Sequence, residues 1–180
     1  MKYLVPALAV VVSLFLSSCG TTSSLEDAKG NVIAGTQRFS KVVVQDYTSS
    51  VEDDEDGGAK VAASGFFPDH IVKQLHSQDR PVAVSRNTKP DADTLVIDGV
   101  ITRYNEGNAA LRLFVGMGAG SSYFDATTRF KDSKGNVLGQ IVTDKNSWAL
   151  GGGLAASQTT QKFMENAAEK IAAEACKLIK

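Results

Sequence analysis

The sequence predicts an α+β fold, in which two helices pack on a mostly antiparallel sheet of about five strands, in the order β-α-β-β-β-β-α. Two patterns and the length lead to this fold. Extended, β-branched segments lie at 41–47 and across 94–148. Apolar residues recur at helical spacing over 68–76 and 157–178. A chain of 180 residues is long enough for one domain with a substantial core.

The first half of the chain predicts a strand, a helix and a second strand. Residues 41–47 are mostly β-branched and apolar, which is typical of a buried strand. Pro68 fits the first turn of a helix over 68–76, because the N–H group that proline lacks would have no hydrogen-bond partner within the helix at that position. Residues 59–66 could add earlier helical turns before a break. Residues 81–85 predict a short strand.

The second half predicts an antiparallel meander followed by a long helix. Residues 94–104 are β-rich, and 124–130 alternate between apolar and polar side chains. Between them, 110–115 is expected to be extended. Residues 132–136 predict a hairpin turn, after which 137–148 returns as a strand. The final helix carries an apolar stripe of Phe163, Ala167, Ile171, Ala175 and Leu178, widened by Met164, Ala168, Ala172 and Ile179.

The N-terminus has the features of a cleaved leader that ends at a cysteine. Lys2 supplies a positive charge, residues 4–16 are largely apolar, and two small residues, Ser17 and Ser18, precede Cys19. The apolar run is shorter than the roughly 20 residues that a transmembrane helix needs. The predicted organisation is therefore a signal peptide at 1–18, a flexible tether at 19–38 and one folded domain at 39–180. An ordinary secretory signal with a chance cysteine is the alternative.

The segment Leu16-Ser17-Ser18-Cys19 resembles the lipobox of bacterial lipoproteins. The resemblance implies diacylglycerol on the Cys19 thiol and an acyl chain, such as palmitate, on the new amino terminus. Several chains on one residue give firm membrane attachment. Gly20 follows the cysteine, where enteric-type lipoproteins kept at the inner membrane tend to carry aspartate. The expected location is thus the outer membrane, facing the periplasm, with the inner membrane as the alternative.

Charge and cysteine content narrow the function classes. Of the 19 Lys and Arg residues, Lys2 lies in the leader, which leaves 18 basic against 20 acidic residues. Such a chain has no basic excess for a nucleic acid backbone. Only two cysteines are present, and if Cys19 carries lipid, a disulfide within the chain is not expected. Cys176 is predicted to be a small, half-buried residue of the last helix.

No set of residues predicts catalysis, a metal or a cofactor. His70 and His76 are six positions apart, so they point to different sides of a helix. The acidic run 52–56 departs from a calcium loop because Ala63 stands where a bidentate Glu belongs. Asp98 and Asp125 are candidates for a carboxylate pair across strands, but ion pairs with Arg103 and Arg112 are the commoner arrangement.

A glycine-rich segment and a tryptophan are the candidates for contact with a partner. Gly116, Gly118 and Gly120 are followed by a strand pattern rather than a helix, which argues against phosphate binding and against a nucleotide. Glycines between strands more often permit a bend or the close approach of another backbone. Trp148 is an alternative anchor for a partner, although core packing is the commoner use of such a residue.

The stretches 99–104, 107–108 and 116–121, together with Arg112, resemble an uncharacterised lipoprotein family, domain of unknown function 4410. The likeness extends over about 42–178 and is most specific over 99–138. It implies a bacterial envelope lipoprotein with a small α/β domain, and it provides no catalytic residues to carry over.

These observations together predict a non-enzymatic, lipid-anchored binding, assembly or accessory module with a protein partner in the envelope. Two alternatives remain open. One is an envelope hydrolase acting on cell-wall or lipid material, which would need a pocket containing His70 or His76. The other is a small-ligand carrier, which would need an apolar cavity between the sheet and the helices.

Overall fold

The computed structural model describes residues 20–27, 29–33, 38–52, 57–79, 82–108, 110, 114–115, 119–147 and 158–180. Within these residues, one mixed sheet of seven strands carries two helical segments packed against one of its faces. The predicted α+β class is therefore confirmed. The strands are β1 (Gly20–Thr22), β2 (Lys41–Val44), β3 (Thr48–Ser49), β4 (Ala83–Arg86), β5 (Thr94–Asn105), β6 (Tyr123–Lys131) and β7 (Val137–Asn146).

The sheet is mixed and has seven strands, whereas the sequence predicted a mostly antiparallel sheet of about five strands. Its order is β1-β7-β6-β5-β2-β4, with β3 beside β5. The pairs β1–β7, β7–β6 and β6–β5 are antiparallel, whereas β2 is parallel to both β4 and β5, and β3 is parallel to β5. A helix joins β2 and β3 to β4, and strands joined by such a crossover run parallel. The two uncounted strands, β1 and β3, are too short to show an alternating pattern.

The first helical segment is longer than predicted and contains an irregular turn. It consists of α1 (Gly58–Val61), a π-helical turn (Ala62–Phe66) and α2 (Phe67–His76). Pro68 has no N–H to donate to the carbonyl of Ser64, four positions earlier, so the regular hydrogen-bond ladder is interrupted there. The Ser64 carbonyl instead accepts a 3.2 Å hydrogen bond from Nη2 of Arg86 on β4.

The second helix, α3 (Thr160–Cys176), begins where the side chain of Thr159 accepts a hydrogen bond from the Lys162 amide. It is shorter than the predicted 157–178, but its apolar stripe is confirmed. All nine stripe residues are buried, and they pack against the inner face of the sheet and against α2. Cys176 is half-buried, as predicted. The centre of this core contains Phe67, Phe124, Phe130 and Phe163.

The expected flexible tether at 19–38 is attached to the sheet over its described part. Gly20 to Thr22 pair with Lys145 to Thr143 of β7. Glu26 then pairs with both Val32 and Gln140, which places a small hairpin beside the first residues of β7. Leu25 is only 1% exposed and belongs to the core. Burial of this leucine attaches the segment to the domain. The sequence predicted a tether because the composition of the segment resembles that of a linker, although the segment contains this core residue.

Gly139 on β7 makes room for this hairpin. A Cβ atom at Gly139 would lie 2.4 Å from Cδ1 of Ile33 and 2.7 Å from the carbonyl oxygen of Glu26. The absence of a side chain therefore allows the backbone of the hairpin to approach β7 closely.

The turn of the N-terminal hairpin repeats the turn between β6 and β7. Both have the pattern Asp-x-Lys-Gly-Asn, at 27–31 and at 132–136. In each turn the Asp side chain accepts hydrogen bonds from the Lys and Asn amides, and the glycine has positive φ, +79° at Gly30 and +87° at Gly135. The hairpin turn predicted at 132–136 is confirmed.

The described residues between β5 and β6 do not continue the meander as predicted. Ala110 and Phe114 have helical backbone conformation rather than the extended one expected for 110–115. Phe114 and Val115 are 84% and 61% exposed, so they do not contribute a buried strand. The strand at 110–115 was predicted from apolar character alone, and a short apolar run does not distinguish a strand from a helical conformation.

Candidate functional site

Several connections leave the sheet at one end, which we call the anchor end and define by Gly20, Asn105, Tyr123 and Asn146. Asn105 pairs with Tyr123, and Tyr123 pairs with Asn146. Gly20 pairs with Lys145, one residue from the end of β7. The chain before Gly20, the β5–β6 connection and the β7–α3 connection therefore all begin or end here.

Hydrogen bonds tie the anchor end to the start of α3. The Thr160 hydroxyl donates to the carbonyl of Asn105 over 2.5 Å. The buried Ser122 hydroxyl donates to the Gln158 carbonyl over 2.7 Å, and its amide donates to the Ser147 hydroxyl over 2.9 Å. These bonds fix the N-terminus of α3 against the strand ends.

A cleft of about 360 Å³ lies at this junction. One wall is the segment that follows β5, and the other is the first turn of α3. The Tyr104 hydroxyl donates to the Glu106 carboxylate over 2.9 Å at its rim. The lining residues are Phe66, Tyr104, Glu106, Gly107, Thr159, Thr160, Gln161 and Met164.

Phe66 also lines a second cleft, of about 480 Å³. Its lining comes from the π-helical turn and the start of α2: Val61, Ser64, Gly65, Phe66, Asp69, His70 and Lys73. Phe66 is 54% exposed, and its ring centroid lies 6.4 Å from that of His70. π-Helical turns occur frequently at functional sites. The two clefts together with Phe66 form the candidate binding surface, which we call the Phe66 surface.

The two histidines differ in their surroundings. His76 is exposed at the end of α2, whereas His70 is half-buried and lines the second cleft. Nε2 of His70 is buried, and it makes no hydrogen bond within the described part of the chain. The neighbouring Asp69 pairs instead with Arg86 at 3.0 Å, and the Ser64 hydroxyl donates to the Lys60 carbonyl over 3.0 Å. Neither side chain is therefore positioned to activate, or to be activated by, His70.

The outer face of the sheet carries ion pairs between strands, as the sequence favoured. Asp98 pairs with Arg129 at 2.7 Å and also with Lys131. Asp125 pairs with Arg103 at 3.2 Å, and the Arg103 guanidinium lies 4.2 Å from the centre of the Tyr123 ring. Asp98 and Asp125 face these cations rather than each other. Burial raises the pKa of Asp125. The negative charge of Asp144 on the adjacent strand raises this pKa further, while the positive charge of Arg103 lowers it.

Most of the predicted site residues lie outside the described residues: Cys19, Gly116, Gly118, Trp148 and also Arg112 and the acids 53–56. Gly120 is described, with a φ of +67°, and its carbonyl accepts a 2.8 Å hydrogen bond from the Asn108 amide. This bond joins the two ends of the β5–β6 connection close to the strands. The positive φ of Gly120 fits a bend in which glycine is favoured.

Two features of the site were not predicted from the sequence. Phe66 was included among helical turns with no role of its own, and Phe114 and Val115 were assigned to a strand. The sequence signal for Phe66 is the Gly65–Pro68 interruption in a helical segment. For Phe114 and Val115 it is an apolar pair beside a glycine-rich segment.

The described residues contain no membrane-spanning helix and no metal-binding cluster. None of the helices there has both the length and the apolar composition needed to cross a bilayer. In the same part of the chain, no group of three or more His, Cys, Asp or Glu side chains could hold a metal ion.

A family model described as a domain of unknown function, DUF4410, matches residues 41–151 of the sequence. This is more than half of the chain. The chain belongs to this family. No curated protein matches the sequence.

Two solved structures are similar to this DUF4410 protein at low sequence identity. The PelC dodecamer from Paraburkholderia phytofirmans has a TM-score of 0.50 and 15% identity, and the match covers 84% of this chain and 98% of that one. A neuraminyllactose-binding hemagglutinin homolog from Helicobacter pylori has a TM-score of 0.39 and 14% identity, over 86% and 91% of the two chains. The PelC match supports the fold alone.

Part of the family's sequence pattern has a structural reason in this DUF4410 domain. Gly99, the first residue of the Gly99–Tyr104 stretch, lies under the buried ring of Tyr47. A Cβ atom there would lie 2.4 Å from Cε1 of Tyr47 and 2.3 Å from the carbonyl oxygen of Thr127. The Tyr47 hydroxyl donates to Thr128 Oγ1 over 2.9 Å. Glycine at this position therefore allows Tyr47 to close over β5 and β6.

Proposed function

We propose that this DUF4410 protein is a lipid-anchored lipoprotein of the bacterial envelope that acts as a non-enzymatic binding or assembly module. The observation that carries the proposal is the position of the first strand in the described residues. Strand β1 starts at Gly20, the residue directly after the lipobox cysteine Cys19, and it pairs with β7. Lipid on Cys19 would thus be attached to the folded domain itself, without an intervening linker.

The proposed location is the outer membrane, with the domain in the periplasm and the inner membrane as the alternative. The support is the leader at 1–18 and the absence of aspartate after Cys19. Diacylglycerol on the thiol and palmitate on the amino group would provide the attachment.

The Phe66 surface is the proposed contact with a protein partner. Phe66 is exposed and lines both clefts, and aromatic side chains are enriched in protein interfaces. Both edges of the sheet offer little for strand addition, because β1 has three residues and β4 has four. PelC, which shares the fold, forms a dodecamer, so a second copy of this chain is the first partner to test.

An envelope hydrolase is the second candidate, favoured by the position of His70 in a cleft. It lacks support from the neighbouring side chains, since Asp69 and Ser64 are engaged elsewhere. A small-ligand carrier has less support, because both clefts open at the surface and the layer between sheet and helices is filled by the core.

The anchor is tested by the mass of the mature protein and its N-terminal peptide. The expected N-terminus is Cys19 with diacylglycerol and an acyl chain, and Cys19→Ala should leave the protein uncleaved and unlipidated. A mature N-terminus elsewhere, or an unmodified Cys19, would contradict the proposal.

Partner binding is tested by placing a photo-crosslinking residue at Phe66 in the lipidated protein in cells. We expect a defined protein adduct, and its mass decides between a second copy and another protein. Val142 is the matched control, because it is 45% exposed on the outer face of β7. Equal adducts at both positions, or only lipids and abundant porins, would argue against the Phe66 surface.

A further inference from the structure

We infer that the anchor end of the domain lies directly on the lipid bilayer and that Phe114 and Val115 insert into the bilayer interface. The inference rests on the proposed lipidation of Cys19. It adds an orientation and a second, non-covalent membrane contact to that proposal.

The first step is the distance between the lipid and the fold. Consecutive Cα atoms are about 3.8 Å apart, and Gly20 is already paired with Lys145. A strand held by its neighbour cannot extend as a tether can. The interfacial layer of a bilayer is about 5–8 Å deep on each side, so the strand ends at Asn105, Tyr123 and Asn146 would lie at the lipid headgroups.

The second step is the presence of exposed apolar side chains in the connection that begins and ends at this same end. Phe114 and Val115 belong to the connection that leaves β5 at Asn105 and enters β6 at Tyr123. They are 84% and 61% exposed, which makes Phe114 the most exposed of the large apolar side chains in the described residues. An aromatic ring and a β-branched side chain presented together are suited to the boundary between headgroups and acyl chains.

The third step is the chemistry of the opposite end of the sheet. The turns at 27–31, 91–94 and 132–136 are headed by aspartates whose side chains accept hydrogen bonds within the turn. The exposed cations Lys41 and Lys134 also lie there. Among the described residues, the large apolar side chains exposed at this end are the valines Val32 and Val137, whereas the connection at the anchor end exposes the Phe114 ring as well as Val115. Lipid at Cys19 and the most exposed apolar side chain therefore give the same orientation.

The occupant that these observations favour is a lipid surface rather than a protein. A protein contact would not require apolar residues to lie beside the lipid attachment site. A bilayer gives these side chains a binding surface, because the covalent lipid holds this end of the domain at the membrane in every molecule.

The experiment uses the mature lipidated protein in vesicles of phosphatidylethanolamine and phosphatidylglycerol that contain a lipid with a fluorescence quencher in the upper acyl chain. An environment-sensitive fluorophore is attached at Phe114→Cys, in a Cys176→Ala background. The matched control carries it at Lys134→Cys, in the turn at the opposite end. Val115→Cys provides a second position at the anchor end.

We expect loss of fluorescence and a blue shift at positions 114 and 115, and neither change at position 134. Equal signals at 114 and 134 in protein that floats with the vesicles would overturn the orientation while leaving the lipid anchor intact. Failure of the unlabelled protein to float with vesicles would instead remove the anchor, and with it this inference.

Discussion

The two ends of the sheet are built in different ways. At the anchor end, long connections join the strands, glycine is frequent, and Phe114 and Val115 are exposed. At the opposite end, which we call the turn end, the short turns 27–31 and 132–136 close on their own aspartates. The difference indicates that the turns at the turn end are stabilised by their own side chains, whereas the anchor end also carries Phe114 and Val115, which the fold does not bury.

The turn end also holds the N-terminal hairpin in place. Leu25 is buried in the core, while Val32 in the same hairpin is 64% exposed. The stability of the domain should therefore depend on residues that precede the family-matched region at 41–151.

Leu25→Ala has the largest expected effect on stability. Removing a buried leucine side chain costs about 2–5 kcal/mol, because apolar contacts are lost and a cavity remains. Val32→Ala is the matched control, and its effect should stay within about 0.5 kcal/mol. Denaturant unfolding measures both. Equal effects would mean that the hairpin is not part of the cooperative fold.

Gly135→Ala should have a smaller effect. A residue with a Cβ atom is strained at a φ of +87°, and the cost is about 1–2 kcal/mol. Gly30→Ala in the repeated turn should cost a similar amount, because its φ is +79°. Thermal or denaturant unfolding is again the measurement, with Lys134→Ala as the control. A change at Gly135 alone would show that only the β6–β7 turn is formed in solution.

Acid should weaken the turn end. Hydrogen bonds from Asn31 and from Asn136 lower the pKa of Asp27 and of Asp132, respectively, and the bond from Lys41 lowers that of Asp91. A lowered pKa in the folded state contributes stability that is present above the unfolded-state pKa of about 3.9. This stability is lost as the pH falls through the folded-state values.

The pH dependence is measured by the free energy of unfolding between pH 7 and pH 3. We expect a decline below about pH 4, and a shallower decline in the Asp132→Asn variant. An unchanged slope in that variant would show that the Asp132 carboxylate does not hold its turn.

Phe114→Ser should have the smallest effect on stability, within about 0.5 kcal/mol, because the ring is exposed. A larger loss would mean that Phe114 packs on the fold and is not available to a membrane. Denaturant unfolding of the protein in detergent measures this value, with Val137→Ser at the turn end as the matched control, since Val137 is 57% exposed.

The sequence patterns predicted the meander strands β5 to β7 and the stripe of α3, because each alternation or helical period continues over nine or more residues. They did not predict the parallel pairing of β2, although the predicted β-α-β order contained that information. The N-terminal hairpin was missed because its composition resembles a linker. The repeated Asp-x-Lys-Gly-Asn pattern was the available signal.

The candidate site was less predictable than the fold. The Phe66 surface depends on the π-helical turn that ends just before Pro68, and on Arg86, which lies eighteen positions after that proline on a strand. Such a contact depends on how β4 packs beside β2, which no local pattern encodes. The lipobox, in contrast, is a local pattern, and it led to the expected role of Cys19 directly.

Hydrogen exchange of the lipidated protein, compared between detergent micelles and lipid vesicles, tests most directly whether the two ends of the sheet face different surroundings. The account predicts added protection in vesicles for peptides covering the β5–β6 connection at 106–122. It predicts no change for peptides covering the turns at 27–31 and 132–136. Equal protection at both ends, or protection of the turn end alone, would contradict the proposed orientation of the domain on the membrane.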